Sequence, residues 1–138
     1  MSSEMWVTSH KGAYSARIDE NALANPDSLI PSDSFALVDA NIARLYEDRL
    51  GNLLKSPKVQ IIEASEPNKA IDRIIPVIER MVEAGAKRGQ MLNAIGGGVI
   101  QDIACFISSV LFRGLPWRFI PTTLLAQADS CIGSKSSV

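Results

Sequence analysis

Residues 91–102, MLNAIGGGVIQD, join a short apolar segment to three consecutive glycines and then to a second apolar run. Residues 91–95 predict a buried strand, and residues 99–111 continue as an apolar helix. The glycines at 96–98 therefore predict a strand-to-helix turn whose bare backbone can approach an anion such as a pyrophosphate. Their spacing is not the GxGxxG fingerprint, so a turn needed only for tight strand–helix packing remains an alternative.

Strands and helices alternate on both sides of this stretch. Residues 35–38 and 59–62 predict buried strands upstream, and residues 117–120 predict a strand downstream. Apolar residues spaced by three and four predict amphipathic helices after the first two strands. The apolar faces are Ile42, Leu45, Tyr46, Leu50, Leu53 and Leu54 in the first helix, and Ile71, Ile74, Ile75, Ile78, Met81 and Val82 in the second. Pro76 interrupts the second helix and predicts a kink or a shifted start.

A hairpin is predicted at the beginning of the chain, where Val7 and residues 14–18 form short strands joined through residues 10–12. Strands that alternate with helices imply right-handed crossovers, which place helices over both faces of the sheet. The sequence therefore predicts an α/β fold: a doubly wound, mostly parallel, Rossmann-like sheet with an N-terminal β-hairpin, forming one domain over residues 1–138. Ligands of such sheets bind outside the carboxyl ends of the strands.

Charge is balanced overall but unevenly distributed. The chain has 14 Lys+Arg and 15 Asp+Glu, a net charge of −1 and no basic block, which argues against a nucleic-acid partner. Only five charged residues lie in residues 89–138, so we expect this part to form a buried centre or to face a partner, a cofactor or a further domain. The uncharged stretches are broken before they could cross a bilayer and the polar start lacks a signal-peptide core, so a cytoplasmic location is expected.

Cysteine and histidine usage gives no sign of a metal site. Cys105 and Cys131 do not form a CxxC pair and are expected to be buried free thiols. His10 is the single histidine of the sequence, so no histidine cluster that could bind zinc is expected in this chain.

Several charged side chains follow the predicted strands, where a ligand is expected. Asp39 can accept hydrogen bonds from a ribose hydroxyl pair, although an acid at a helix N-terminus explains the same position, and Asn41 could equally cap that helix. Asp102 lies one turn beyond Gly98 on an otherwise apolar helix, so its carboxylate must face a cleft, find a partner or lie on an exposed turn. Arg113 ends this helix, where interaction with the helix dipole is the alternative to a functional role.

Residues 121–136 gather hydroxyl groups, one acid and one base in an otherwise apolar segment. These groups include Thr122, Thr123, Asp129, Ser130 and Lys135. Hydroxyl groups and an ammonium are suitable ligands for phosphate oxygens, although each residue alone is a weak signal.

Four motifs taken together resemble the sugar phosphate cyclase family, most closely the 3-dehydroquinate synthases. They are SEPNKA (65–70), GGGVIQD (96–102), FRG (112–114) and PTTLLAQADSCIGSKS (121–136). The resemblance covers residues 35–138 and corresponds to the N-terminal, NAD-binding domain of that family.

The resemblance implies an enzyme that converts the seven-carbon keto-acid phosphate DAHP into 3-dehydroquinate in the shikimate pathway. Phosphate is eliminated, which makes the enzyme a phosphorus–oxygen lyase, and NAD serves as a recycled catalyst. The family also implies a homodimer and a zinc or cobalt ion. The metal ligands belong to a C-terminal helical domain, so this chain alone is expected to bind NAD without turnover.

The resemblance also implies roles for individual residues. Asp39 and Asn41 would lie near the adenine ribose, and Glu66 and Lys69 on the adenosine side of the cofactor. The other cofactor positions are Gly97, Gly98 and Val99 at the pyrophosphate, Asp102 at the nicotinamide ribose, and Thr122, Thr123 and Leu125. Asp129 and Lys135 would contact the substrate, and Arg113 would reach across a dimer interface to the substrate phosphate.

Four departures from the family pattern leave other functions open. Gln101 and Ser134 stand where the family usually has glycine, and Ala128 and Cys131 replace the more common valine and serine. Alternatives are therefore another sugar phosphate cyclase, a metal-dependent polyol dehydrogenase, or a non-catalytic nucleotide-binding module.

Overall fold

The computed structural model describes residues 2–10, 12–129 and 131. Its strands are β1 (Ser2–Ser9), β2 (Gly12–Asp19), β3 (Phe35–Asp39), β4 (Val59–Ile62), β5 (Leu92–Gly96) and β6 (Trp117–Pro121). Its α-helices are α1 (Pro26–Leu29), α2 (Ala40–Leu45), α3 (Glu47–Leu54), α4 (Ile71–Glu83), α5 (Gly98–Val110) and α6 (Leu124–Ala128). Three 3-10 turns complete the described elements: Ala22–Ala24, Glu66–Lys69 and Leu111–Arg113.

The central sheet is parallel and has the strand order β4-β3-β5-β6. The chain leaves β3 for β4 on one side and then crosses back to β5 on the other. The connection that follows β3 therefore runs towards one edge of the sheet, and the connection that follows β5 runs towards the other edge. A crevice at such a switch point is where doubly wound sheets bind ligands.

Two hydrophobic cores cover the two faces of the sheet. One lies beneath α4 and α5 and contains Leu37, Met81 and Ile103. The other lies beneath α2 and α3 and contains Val38 and Leu50. Because successive strand residues point to opposite faces, Leu37 and Val38 enter different cores, and the predicted doubly wound fold is confirmed.

The predicted hairpin is also confirmed, and it forms a separate two-stranded antiparallel sheet. Its eight-residue strands carry exposed apolar side chains, among them Trp6 at 70% and Ile18 at 72% of full exposure. In the part of the chain that the structure describes, no helix is both long and apolar enough to cross a membrane.

The first predicted helix is wrong in one respect, because it is two helices. The chain turns at Tyr46, whose backbone N–H donates to Ile42 and whose carbonyl accepts from the amide of Leu50. The turn brings Leu50 fully into the core and leaves Leu45 at 64% exposure. Local periodicity cannot show this break because the apolar spacing continues across it.

The second predicted helix has its apolar face rotated relative to the prediction. The buried residues of α4 are Ile74, Val77 and Met81, whereas Ile71 and Ile75 are about half exposed. Six apolar positions span a wider arc than one sheet can cover, so the sheet contacts only part of the arc. The helix begins at Ile71 and continues through Pro76, so the proline does not shift its start.

A buried asparagine connects the amino-terminal ends of the strands to the segment that precedes β3. The Asn93 side chain is completely buried in β5, and its amide donates to Ser34 Oγ at 2.9 Å and to the Phe35 carbonyl at 3.0 Å. Its carbonyl oxygen accepts from Arg118 Nε and Nη2 at 3.0 and 2.8 Å. Arg118 also donates to the Leu29 carbonyl, so one polar group joins α1, β3, β5 and β6.

Replacing Asn93 should therefore destabilise the fold. Asn93→Ala leaves buried hydrogen-bonding groups on Ser34 and Phe35 without their partner, which should lower the free energy of unfolding by about 2–3 kcal/mol in urea denaturation. Asn52→Ala, at an exposed position of α3, is the matched control and should change it by less than about 0.5 kcal/mol. Equal stability of the two variants would contradict this account.

Candidate functional site

Three glycines at the end of β5 have different surroundings in the switch-point crevice. A Cβ added at Gly96 would lie 2.6 Å from Ile100 Cγ1 and 3.1 Å from Asp39 Cβ, and one at Gly97 would lie 2.9 Å from Thr123 Cγ2. A Cβ at Gly98 would meet nothing within 4 Å. Tight packing therefore explains Gly96 and Gly97, whereas Gly98 borders open space.

The open space adjoins the start of a long helix. Gly97 is the N-cap of α5 and provides no side-chain hydrogen bond to the first turn. The first amides of a helix lack partners within the helix and carry partial positive charge. This end of α5 therefore offers backbone donors beside a position where no side chain obstructs a ligand.

Asp39 lies directly across from the glycine turn, at the end of β3. It is buried, and its Oδ1 accepts from the backbone N–H of Asn41 at 2.8 Å, so Asp39 rather than Asn41 caps α2. Its second oxygen makes no hydrogen bond with the described residues, so the cap leaves one carboxylate oxygen able to accept from a ligand. The Asn41 side chain is exposed beside it.

An ammonium shared by two carboxylates forms one wall of the site. Lys69 Nζ lies 2.8 Å from Glu66 Oε2 and 3.2 Å from Asp102 Oδ2. The sequence left open whether Asp102 faces a cleft, has a partner or lies on an exposed turn. The structure shows that it has a charged partner, Lys69. The sequence offered no direct signal for this contact, because Lys69 and Asp102 are 33 residues apart and lie on different elements.

The ion pairs raise the pKa of Lys69. The hydrogen bond with Glu66 is the largest influence and raises the pKa of Lys69 above its ordinary value of 10.5. Burial acts in the opposite direction, and the contact with Asp102 adds to the increase.

The segment after β6 closes the crevice from the other side. The Thr122 amide donates to the Gly96 carbonyl at 2.9 Å, which holds this segment against the glycine turn. Thr122 Oγ1 is buried and has no hydrogen-bond partner among the described residues. Thr123 Oγ1 caps α6 by accepting from the Ala126 amide at 3.2 Å, and Leu125 of the same helix is 71% exposed.

The structure describes Arg113 and Asp129 of the predicted substrate residues. Arg113 is exposed and lies in a turn where Phe112 and Arg113 both have positive φ, at 52° and 66°. The 13 residues of α5 place this turn about 20 Å from Gly98, towards the opposite edge of the sheet. Asp129 is exposed at the end of α6, and Lys135 lies outside the described residues.

Cysteines and potential metal ligands are dispersed. Cys105 and Cys131 are not joined by a disulfide, and both are half-buried rather than fully buried as predicted. Across residues 2–10, 12–129 and 131, no three side chains of His, Cys, Asp or Glu come together as a metal site.

The chain is similar in structure to two sugar phosphate cyclases. A 2-deoxy-scyllo-inosose synthase matches 99% of this chain and 40% of its own, with a TM-score of 0.75 and 26% identity, and one of its structures contains carbaglucose-6-phosphate, NAD⁺ and Co²⁺. The valiolone synthase ValA from Streptomyces hygroscopicus, with NAD⁺ and Zn²⁺ bound, matches 84% of this chain and 34% of its own, with a TM-score of 0.70 and 32% identity. The fold and its glycine-rich crevice thus define a cyclase-type α/β domain.

Sequence comparison makes the assignment more specific. The family model described as 3-dehydroquinate synthase N-terminal matches residues 59–138, and the chain belongs to this family, as the motifs predicted. The 3-dehydroquinate synthase of Alkaliphilus oremlandii is 38% identical over 135 residues, which are 93% of this chain and 37% of the relative. The Bartonella quintana enzyme is 41% identical over 109 residues, 75% of this chain and 29% of the relative. The chain thus spans little more than a third of the first relative and less of the second.

The charged group around Lys69 allows a test of the site's electrostatics. Lys69→Met removes the ammonium and should lower the free energy of unfolding by about 1 kcal/mol at neutral pH. Because the folded pKa exceeds the unfolded value, this difference from the wild type should be complete below pH 10.5 and disappear as pH rises through the folded pKa.

Chemical denaturation at a series of alkaline pH values measures the difference. Lys87→Met, at an exposed lysine, serves as the control and should match the wild type throughout. A Lys69→Met deficit that persists unchanged at the highest pH would show that the ion pairs are not its source.

Proposed function

We propose that residues 1–138 are the NAD-binding domain of a 3-dehydroquinate synthase, which converts DAHP to 3-dehydroquinate with elimination of phosphate in the shikimate pathway. The observation that carries the proposal is the crevice between β3 and β5. There, Gly98 borders open space, and Thr122, whose amide donates to the Gly96 carbonyl, has a buried hydroxyl without a hydrogen-bond partner among the described residues. Family membership and the NAD⁺ bound by two structural neighbours support the choice of cofactor.

The residues of the crevice fit a dinucleotide. Gly97, Gly98 and Val99 present backbone to a pyrophosphate at the start of α5. Asp39 offers its second carboxylate oxygen to a ribose hydroxyl, and Thr122 offers its buried hydroxyl. Thr123, whose side chain lies against Gly97, would contact the cofactor together with Leu125 and Asn41. When bound, NAD supplies reversible acceptance of a hydride from the substrate.

The charge beside the adenine ribose favours NAD over its 2′-phosphorylated form. The proposed contacts place the buried carboxylate of Asp39 near this ribose. A phosphate on its 2′-hydroxyl would lie close to that carboxylate, and repulsion between like charges disfavours its binding.

The proposed substrate contacts require more than this crevice. Arg113 projects from the far end of α5, so we propose that it contacts the substrate phosphate of a second subunit in a homodimer. Asp129 and Lys135 follow Thr123 along the chain and would contact the substrate hydroxyls and the region near the nicotinamide. The proposed zinc or cobalt site belongs to a C-terminal helical domain of the whole enzyme.

A second candidate is a cyclase that acts on another sugar phosphate. It is favoured by one observation: the structural neighbours are a 2-deoxy-scyllo-inosose synthase and a valiolone synthase. The whole protein assayed with DAHP and with other sugar phosphates distinguishes the two candidates.

Binding of NAD to the chain tests the proposal directly. Isothermal titration calorimetry should show NAD binding, and Gly98→Ala should weaken it about tenfold because a methyl group enters the space for the pyrophosphate. The melting temperature of Gly98→Ala should stay close to that of the wild type, since its Cβ meets no atom within 4 Å.

Gly96→Ala is the matched comparison within the same turn. Its Cβ would overlap Ile100, so it should lower the free energy of unfolding by about 1–3 kcal/mol. A folded wild-type chain that does not bind NAD would contradict the proposal and favour a module without nucleotide affinity.

An activity assay tests whether catalysis requires the proposed metal ligands of the C-terminal domain. We expect no phosphate release from DAHP when the 138-residue chain is incubated with NAD and Zn²⁺ or Co²⁺, because the proposed metal ligands belong to the C-terminal domain. A coupled phosphate assay measures this, with a complete 3-dehydroquinate synthase as the positive control. Detectable release by the purified chain would contradict the expectation.

A further inference from the structure

The two ion pairs of Lys69 join separate elements of the site. Glu66 belongs to the same 3-10 turn as Lys69 and lies three residues before it, whereas Asp102 belongs to α5. The contact with Asp102 therefore ties the segment after β4 to the helix that begins at the glycine turn. Family resemblance implies direct contacts of Lys69 and Glu66 with the adenosine side, and it does not imply this connection.

The two pairs differ greatly in solvent exposure. The side chains of Lys69 and Asp102 are 13% and 20% exposed, whereas that of Glu66 is 74% exposed. Exposed ion pairs are screened by water and contribute little, while a partly buried pair is screened less. The contact with Asp102 is therefore the positional restraint, and the exposed contact with Glu66 adds little to it.

Asp102 lies where its orientation matters to a ligand. It follows Gly98 by four residues on α5, and residues with this spacing lie on the same face of a helix. The carboxylate is thus near the face bordered by the open space at Gly98, with Lys69 attached to it. A carboxylate accepts hydrogen bonds from vicinal ribose hydroxyls only when it is correctly oriented.

We propose that Lys69 is a positioning residue, which orients Asp102 towards the second ribose of a bound dinucleotide and keeps its contact with Asp102 when the dinucleotide binds. This inference rests on the proposed function. It assigns the effect of Lys69 to the nicotinamide-side ribose, through Asp102, rather than to direct contact with adenosine.

Two probes separate these roles. ADP contains the adenosine and the pyrophosphate, whereas ADP-ribose also contains the second ribose. Measured by calorimetry, Lys69→Met should weaken ADP-ribose and NAD about tenfold and change ADP by less than about threefold. An equal loss for ADP and ADP-ribose would overturn the inference, because it would indicate direct contact with adenosine or general damage to the site.

A double-mutant cycle tests whether Lys69 acts through Asp102. Asp102→Asn should also weaken ADP-ribose, and Lys69→Met combined with Asp102→Asn should be no weaker than Asp102→Asn alone. Additive losses would overturn the inference. Lys87→Met is the control for loss of an exposed lysine and should leave ADP-ribose affinity unchanged.

The wild-type chain separates failure of this inference from failure of the proposed function. A wild-type chain that is folded but binds none of NAD, ADP-ribose and ADP would instead refute the proposed function. Failure of the inference alone would leave wild-type NAD binding intact.

Discussion

The close approach of the carboxyl ends of β3 and β5 is the constraint on which the rest of the structure depends. Gly96 permits it, because any side chain there would overlap Ile100 and press against Asp39. The carbonyl of Gly96 also receives the Thr122 amide, which brings the segment after β6 to the same place. A residue without a side chain thus allows three parts of the chain to meet around one crevice.

The few charges in the second half of the chain are used in two ways. Arg118 has a structural role, because it donates hydrogen bonds to Asn93 and to the Leu29 carbonyl at the amino-terminal side of the sheet. Asp102 stands at the opposite side, paired with Lys69 beside the crevice. Arg113 belongs to neither group, since it is exposed in a turn with two positive φ angles. The same sparse charge pattern therefore contains a structural arginine, a site carboxylate and an arginine available to another molecule.

Sequence reasoning predicted most of the fold, because the strands are short apolar runs bounded by glycine, proline or polar residues. The prediction was wrong where one local sequence pattern fits two structures equally well and only tertiary packing determines which one forms. The periodicity across Tyr46 fits one helix as well as two, and the apolar arc of α4 is too wide to identify Val77 as a core residue. In the candidate site, the sequence predicted Asp39 after a strand and Asp102 one turn after the glycines, and both lie there in the structure. Their hydrogen-bond partners were not, because these depend on how distant elements pack.

The sequence by itself determined the doubly wound architecture, the glycine turn and the family, since these follow from periodicity and from motifs that are contiguous in the chain. Only the tertiary structure decided which glycine borders open space, which residue caps α2, and that Lys69 lies between Glu66 and Asp102. The physical reason is that a local pattern specifies backbone conformation and the burial of a face. Contacts between residues far apart in the chain arise only when the sheet order and the packing of helices bring their side chains together.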